Sequence, residues 1–341
     1  MKRYILAVIV SLSLAGTSCA LAQTNAQITA DIVENHILPG FDQLAEQSQT
    51  LAAVAVDHCG PDAPELRAAY SDAFDAWVAV SHLRFGPTEV GDRAFALAFW
   101  PDTRGFTPQT LSGLITAQDP IGQSAETYAE SSIAGRGFYA LEFLIYDDAI
   151  AQLGSDAYRC GLVQAITGDI ANVATAIDAD WHDRYAQVLL NPSEAGKYRS
   201  TEEAAQELFK ALSTGLEFTG DTRLGRPLGT FDRPRPTRAE VWRSGRSARH
   251  VTVSLDALRD IALRLAGDDE RLVARLNDVF DRSEDRLAHL NDPDFAAVTD
   301  VNGRFKLEVL QQSISDIRTL VRDEVGPKLG VVAGFNALDG D

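Results

Sequence analysis

The sequence predicts an all-α protein built of helical bundles, and three observations carry that prediction. Apolar residues recur at helical spacing along nearly the whole chain. Alternating stretches long enough for half-buried strands are missing. Two polar, turn-rich segments interrupt the periodicity where a domain boundary and a long loop would fit.

Taken in order, the chain opens with Lys2 and Arg3, an apolar run from Ile5 to Ala15, and small residues ending in "ALAQ". That is the three-part pattern of a secretory signal peptide, here residues 1–22, with cleavage expected after Ala22. A lipid anchor on Cys19 is the rival reading. Gly16 stands three residues before that cysteine, where lipoprotein signals want a Leu-like residue, so free export to the periplasm is the expectation. The net charge is −18, and losing Lys2 and Arg3 makes it two units more negative. A surface that acidic repels nucleic acid and anionic lipid, which excludes the first as a partner class. No segment after the leader approaches the roughly 18 uninterrupted apolar residues of a membrane span. Cys59 and Cys160 are then the cysteines that remain, and in an oxidising compartment they are expected to form a disulfide. Closing so long a loop stabilises by about 4–5 kcal/mol on the chain-entropy model.

Leu66, Tyr70, Phe74, Trp77 and Ser81 follow a helical spacing that stops at Gly86-Pro87. Val251, Leu255, Leu258, Ala262 and Leu265 repeat it, as do Leu310, Ile314, Ile317, Val321 and Val325 before Gly326-Pro327. The polar stretch "LLNPSEAGKYRSTEEA" divides the chain into residues 23–195 and 196–341, with Ser200 or Thr201 and Glu203 placed to cap a new helix. A long loop rich in Gly, Pro and Arg is expected at about 215–237, ending where Thr237 and Glu240 read as a second capping box. Trp77 and Trp242 each open a stretch containing Arg and His, a faint sign of duplication.

Common chemistries leave no local signature. The six histidines never fall three or four residues apart, which excludes a HExxH-type zinc helix but not a site assembled from distant segments. "GRGFYA" fits a loose dinucleotide fingerprint, yet the residues before it look helical where a strand is required. GxSxG elbows and Walker loops are also lacking.

The informative stretch is "GRGFYALEFLIYD", Gly135 to Asp147, within which the nine residues from Phe138 to Tyr146 carry one charge, Glu142, among eight apolar or aromatic neighbours. An ionised carboxylate costs several kcal/mol to bury unless it is paired. On a helix, Tyr139, Glu142 and Tyr146 share one face. Gly135 and Gly137 before them permit a tight turn and close approach by another backbone. The bland reading is a buried Glu satisfied by Tyr hydroxyls and an Arg; the functional one is a metal or substrate ligand in a cleft.

Gly137-Phe138-Tyr139-Ala140-Leu141-Glu142 resembles the Gly-x-His-x-x-Glu signature of the imelysin family, exported bacterial proteins first described as peptidases. "AFDAWVAVSHLRFGP", "FWPD", "RPLGTFDRPRPTRAEVWRSGRS" and the ending "LGVVAGFNALDGD" are similar to family segments in the same order. The resemblance implies two helical-bundle domains with the signature facing a cleft between them. It also implies a part in iron acquisition at the cell envelope, with a transporter or receptor as partner and iron or another divalent metal as candidate cofactor. Where the family has His, this chain has Tyr139, and a phenol with a pKa near 10 must lose a proton before it binds metal. A zinc-bound water needs about three protein ligands, and the motif offers one good one, Glu142.

Further ligands are sought in His82 and Asp102, although a helix-terminal His and a cap after Pro101 are the commoner roles for them. Arg243 and Arg246, three apart, are expected on one helix face reaching Glu142 across the cleft, with His250 one turn beyond. The expected protein is therefore an exported, non-catalytic metal- or ligand-binding protein of the imelysin type. The alternatives are a metallopeptidase and a periplasmic binder of a small organic ligand or peptide.

Overall fold

The computed structural model describes residues 23–331; the leader, Cys19 and most of the C-terminal "LGVVAGFNALDGD" lie outside them. Among the described residues the structure is helical, with a single isolated bridge between Thr230 and Arg233 and no strand. Helix α1, Asn25–Ile32, starts on a capping box at Thr24 and runs through a π-turn, Val33–Ile37, into α2, Leu38–Asp57. Helix α3, Pro64–Val80, buries Leu66, Tyr70, Phe74 and Trp77. It ends at Ser81 rather than at Gly86-Pro87, because the chain turns tightly through His82 and Leu83 into a 3-10 segment, Gly86–Asp92.

The motif helix α4, Gly137–Tyr146, lies across α3 and α5, Asp156–Asp180. Helix α2 packs against both α3 and α5. Helix α5 continues through a π-turn to Leu190, and on length and composition that run would span a membrane. In the fold its apolar face, including Leu162, Ile166, Ile170 and Ile177, is buried in the bundle. The disulfide Cys59–Cys160 joins the end of α2 to the start of α5 across 101 residues.

Residues 191–200 form a non-helical link to α6, Thr201–Glu217, which Ser200 caps by accepting the Glu203 N–H at 3.3 Å. Then come α7, Ser247–Ala266, α8, Glu270–Ala288, and α9, Val301–Leu320, each packed on its neighbour with α6 and α9 also in contact. Helix α1 lies on α6 and α7, and α7 lies on α3, so both parts of the sequence contribute to the surfaces around the motif helix.

Two expectations for the middle of the chain are corrected. The loop foreseen at 215–237 is helical in its first half: α6 passes through a π-segment, Phe218–Leu224, and a last turn, Gly225–Leu228. The widened turn brings both Thr219 and Arg223 into the interior. Non-helical chain starts at Gly229, whose φ is +56°. Nor do Thr237 and Glu240 cap a helix. Val241 adopts φ +47°, a left-handed value that a β-branched residue tolerates poorly and no helix continues, and the helix begins only at Ser247.

Candidate functional site

The motif helix starts on Gly137, at φ +74°, pressed against the backbone carbonyls of Ala96 and Leu97. Phe138 stacks on Phe74 at 4.6 Å, and this contact fixes the rotation of the helix. Tyr139 and Glu142 therefore point to one side, both buried.

Their partners are not those the sequence suggested. Glu142 accepts hydrogen bonds from the backbone N–H of Ser244 at 3.0 Å and from its hydroxyl at 2.9 Å, with no Tyr hydroxyl or Arg bonded to it. Burial pushes its carboxyl up from 4.5 to about 7, against the pull of those two bonds and of the nearby Arg243. Tyr139 instead donates its phenol proton to Glu240. The other oxygen of Glu240 takes the Arg223 Nε–H at 2.7 Å. His250 Nδ1 lies 3.2 Å from that same oxygen, too poorly aligned for a hydrogen bond. Arg223 continues to the Ser254 hydroxyl at 3.0 Å and lies over the Phe218 ring.

These groups set one another's charge. Burial opposes ionisation of Glu240, yet Arg223 and His250 outweigh it and hold the carboxyl well below the usual range. Burial and then the Glu240 charge drive the Tyr139 phenol well above 10. The phenol is therefore a proton donor here, and ligating ferric iron would require it to give up both that proton and its bond to Glu240.

The remaining candidates lie apart. His82 is buried with Nε2 3.0 Å from Nε2 of His36, whose Nδ1 is 2.7 Å from Asp260. Whichever ring donates, the contact with His36 engages Nε2 of His82, so that nitrogen is not a free ligand. Burial, helped by His36 and Arg223, pushes His82 well below its usual value. Asp102 accepts the backbone N–H groups of Arg104 at 3.1 Å and Thr107 at 2.8 Å, the cap-like role. Arg243 and Arg246 are not on one helix face. They belong to the turn before α7, because Val241 delays the helix, and neither bonds to Glu142. Arg243 pairs with Asp147 at 2.8 Å and stacks on Phe143; Arg246 pairs with Asp75.

The donor set at the motif does not suit a metal. Among the described residues one group of three His or carboxylate side chains brings ligand atoms within 4.8 Å, namely Asp42, Asp178 and His182. None of the three belongs to the motif or to its hydrogen-bonded partners, and His182 Nε2 already lies 2.8 Å from Asp42. His82, Asp102 and Glu142 form no such group.

Two cavities flank the Tyr139–Glu240 pair. The larger, about 570 Å³, has Trp77, Trp100 and Phe218 among its walls and His82, Arg223 and Glu240 among its polar groups. The smaller, about 200 Å³, opens beside Glu142, and Trp100 and Tyr139 line both. Reasoning from the sequence did not find Arg223, Ser244 or Trp100 and assigned Glu240 to a cap.

The state of Glu142 gives a testable pH dependence. The folded chain holds this proton more tightly than the unfolded chain, so its contribution to stability falls as pH rises from about 4.5 to about 7 and is flat above. Glu142→Gln is expected to abolish that slope, gaining on the wild type by up to about 3 kcal/mol across the window. Glu142→Ala opens a cavity and strands the Ser244 donors, at about 2–4 kcal/mol. Urea unfolding at pH 5 and pH 8 measures both. Equal stability of the two variants at pH 8 would mean that the carboxyl is not held in a buried network.

The family model described as Imelysin matches residues 37–321. An imelysin-like protein from Psychrobacter arcticum 273-4 superposes with TM-score 0.77 at 21% identity, covering 97% of this chain and 100% of that one. A candidate iron-regulated protein A precursor from Parabacteroides distasonis ATCC 8503 superposes with TM-score 0.73 at 11% identity, over 91% of this chain and 97% of that one. At such identities the likeness establishes the fold. No curated protein matches the chain.

Proposed function

This chain belongs to the imelysin family, and from that premise we propose that it is an exported, non-catalytic binding protein of iron acquisition whose ligand occupies the larger cavity. One observation carries the reading. The side chains of the signature are hydrogen-bonded into a buried network, Tyr139 to Glu240 to Arg223 and Glu142 to Ser244, instead of converging as open ligands. A cavity of about 570 Å³ with aromatic walls and a few polar groups suits a small organic molecule or an organic iron chelate better than a bare ion. The name of the Parabacteroides distasonis protein refers to iron regulation, which supports the link to iron. The disulfide supports an oxidising compartment, here the periplasm, where a transporter or receptor of the envelope would be the partner.

The metallopeptidase alternative is less favoured, because a zinc-bound water needs about three open ligands and the motif supplies none that is unengaged. The test uses ferric citrate, ferric hydroxamate chelates and short peptides in a thermal-shift and tryptophan-fluorescence screen, since a ligand of the folded state raises its melting temperature. At least one chelate is expected to raise it, and Trp100→Ala to weaken binding about tenfold or more through loss of aromatic contact. Chelator-sensitive cleavage of an unfolded protein by the wild type, lost in Glu142→Ala, would reverse the choice.

A further inference from the structure

We propose that the smaller cavity beside the motif helix is an oxyanion site, in which the guanidinium groups of Arg226 and Arg238 bind a carboxylate or phosphate group. The inference is separate from the larger cavity and its ligand. Arg226, Arg238 and Arg243 line one cavity of about 200 Å³ together with Glu142 and Asp102.

The acidic groups of that cavity are already engaged. Asp102 accepts the backbone N–H groups of Arg104 and Thr107. Glu142 accepts from Ser244. Arg243 has its carboxylate in Asp147. Arg226 and Arg238 face the same space without a carboxylate or carbonyl partner among the described residues, in a chain with 49 acidic residues against 31 basic ones. Arg226 is half-buried, its Nε is enclosed and lacks an acceptor, and its guanidinium lies 5.5 Å from the Trp100 ring. Burial and the charge of Arg238 both weaken the hold of Arg226 on its proton.

Two like charges around a cavity, one with an orphaned donor, constitute a cost that an anion would remove. The planar fork of a guanidinium matches a carboxylate or phosphate in two parallel bonds. At about 30 Å³ per water the space holds several waters, enough for phosphate or a small polycarboxylate and too little for a nucleotide.

Calorimetric titration of the full mature chain at low ionic strength, with inorganic phosphate in one arm and iron-free citrate in the other, tests the site. Saturable binding of at least one is expected, and the tighter arm identifies the source. Loss of a charge-assisted bond should make Arg226→Gln and Arg238→Gln each bind about tenfold more weakly or worse. Arg235→Gln, in the same loop but outside the cavity lining, should stay close to wild type. Melting curves without anion report folding, and Arg238, which is exposed, provides a variant whose loss leaves the interior intact. No saturable binding of either anion at millimolar concentration overturns the proposal. So does an Arg235→Gln effect as large as that of the two cavity arginines. Neither result bears on chelate binding in the larger cavity.

Discussion

Glu240→Ala is expected to be among the most destabilising changes at the site, lowering the melting temperature by about 5–15 °C. The reasoning starts from the partner left behind. Arg223 is 3% exposed, and with Glu240 gone its remaining side-chain acceptors among the described residues are the hydroxyls of Ser254 and Thr219. Breaking a buried pair by removing one member costs about 3–5 kcal/mol, because the surviving charge stays desolvated. The Tyr139 phenol loses its acceptor at the same stroke. Removing both charges should cost less than removing either one, so Arg223→Met combined with Glu240→Leu is expected to recover much of the loss. A thermal-melting cycle over the two singles and the double decides the matter. If the double variant is the least stable of the three, the pair contributes net stability. If Glu240→Ala melts within a degree or two of wild type, the Arg223–Glu240–Tyr139 network is not formed in solution.

The same residue shows where the sequence stops being legible. Periodicity records burial, so Leu66, Tyr70, Phe74 and Trp77, or Val251, Leu255 and Leu258, could be assigned to helical inner faces from spacing alone, and all are buried. The burial of Glu142 could be read because its own helix is apolar nearly all round. Its partner could not. Ser244 is more than a hundred residues away in a turn, and a hydroxyl with a backbone N–H replaces the arginine that local charge made attractive. Glu240 misled for a different reason. Thr237 and Glu240 have the spacing of a capping box, but that motif acts only if the backbone turns helical after it, and the left-handed Val241 prevents this. Arg223 was hidden by the π-segment, which breaks the 3.6-residue count just where the side chain turns inward.

Gly137→Ala is the second change with a large expected effect, and here two costs add. At φ +74° any side chain strains the backbone, a penalty of about 1–2 kcal/mol for an alanine. Gly245, at φ +68° with nothing within 4 Å of where a methyl would stand, would bear that penalty alone. At Gly137 the added carbon would sit 2.1 Å from the Leu97 carbonyl oxygen and 2.4 Å from that of Ala96, both backbone atoms of a neighbouring helical turn. Backbone cannot swing aside as a side chain does, so α4 would have to move away from that turn. The stacking of Phe138 on Phe74, the reach of Tyr139 to Glu240 and that of Glu142 to Ser244 all depend on the present position of this helix. Gly137→Ala is therefore expected to lose more than about 4 kcal/mol, against about 1 kcal/mol for Gly245→Ala. Urea denaturation of the two variants side by side measures the difference. Comparable losses would show that the helix start at Gly137 has room to relax, and that the close approach of the Ala96–Leu97 backbone does not fix where Tyr139 and Glu142 point.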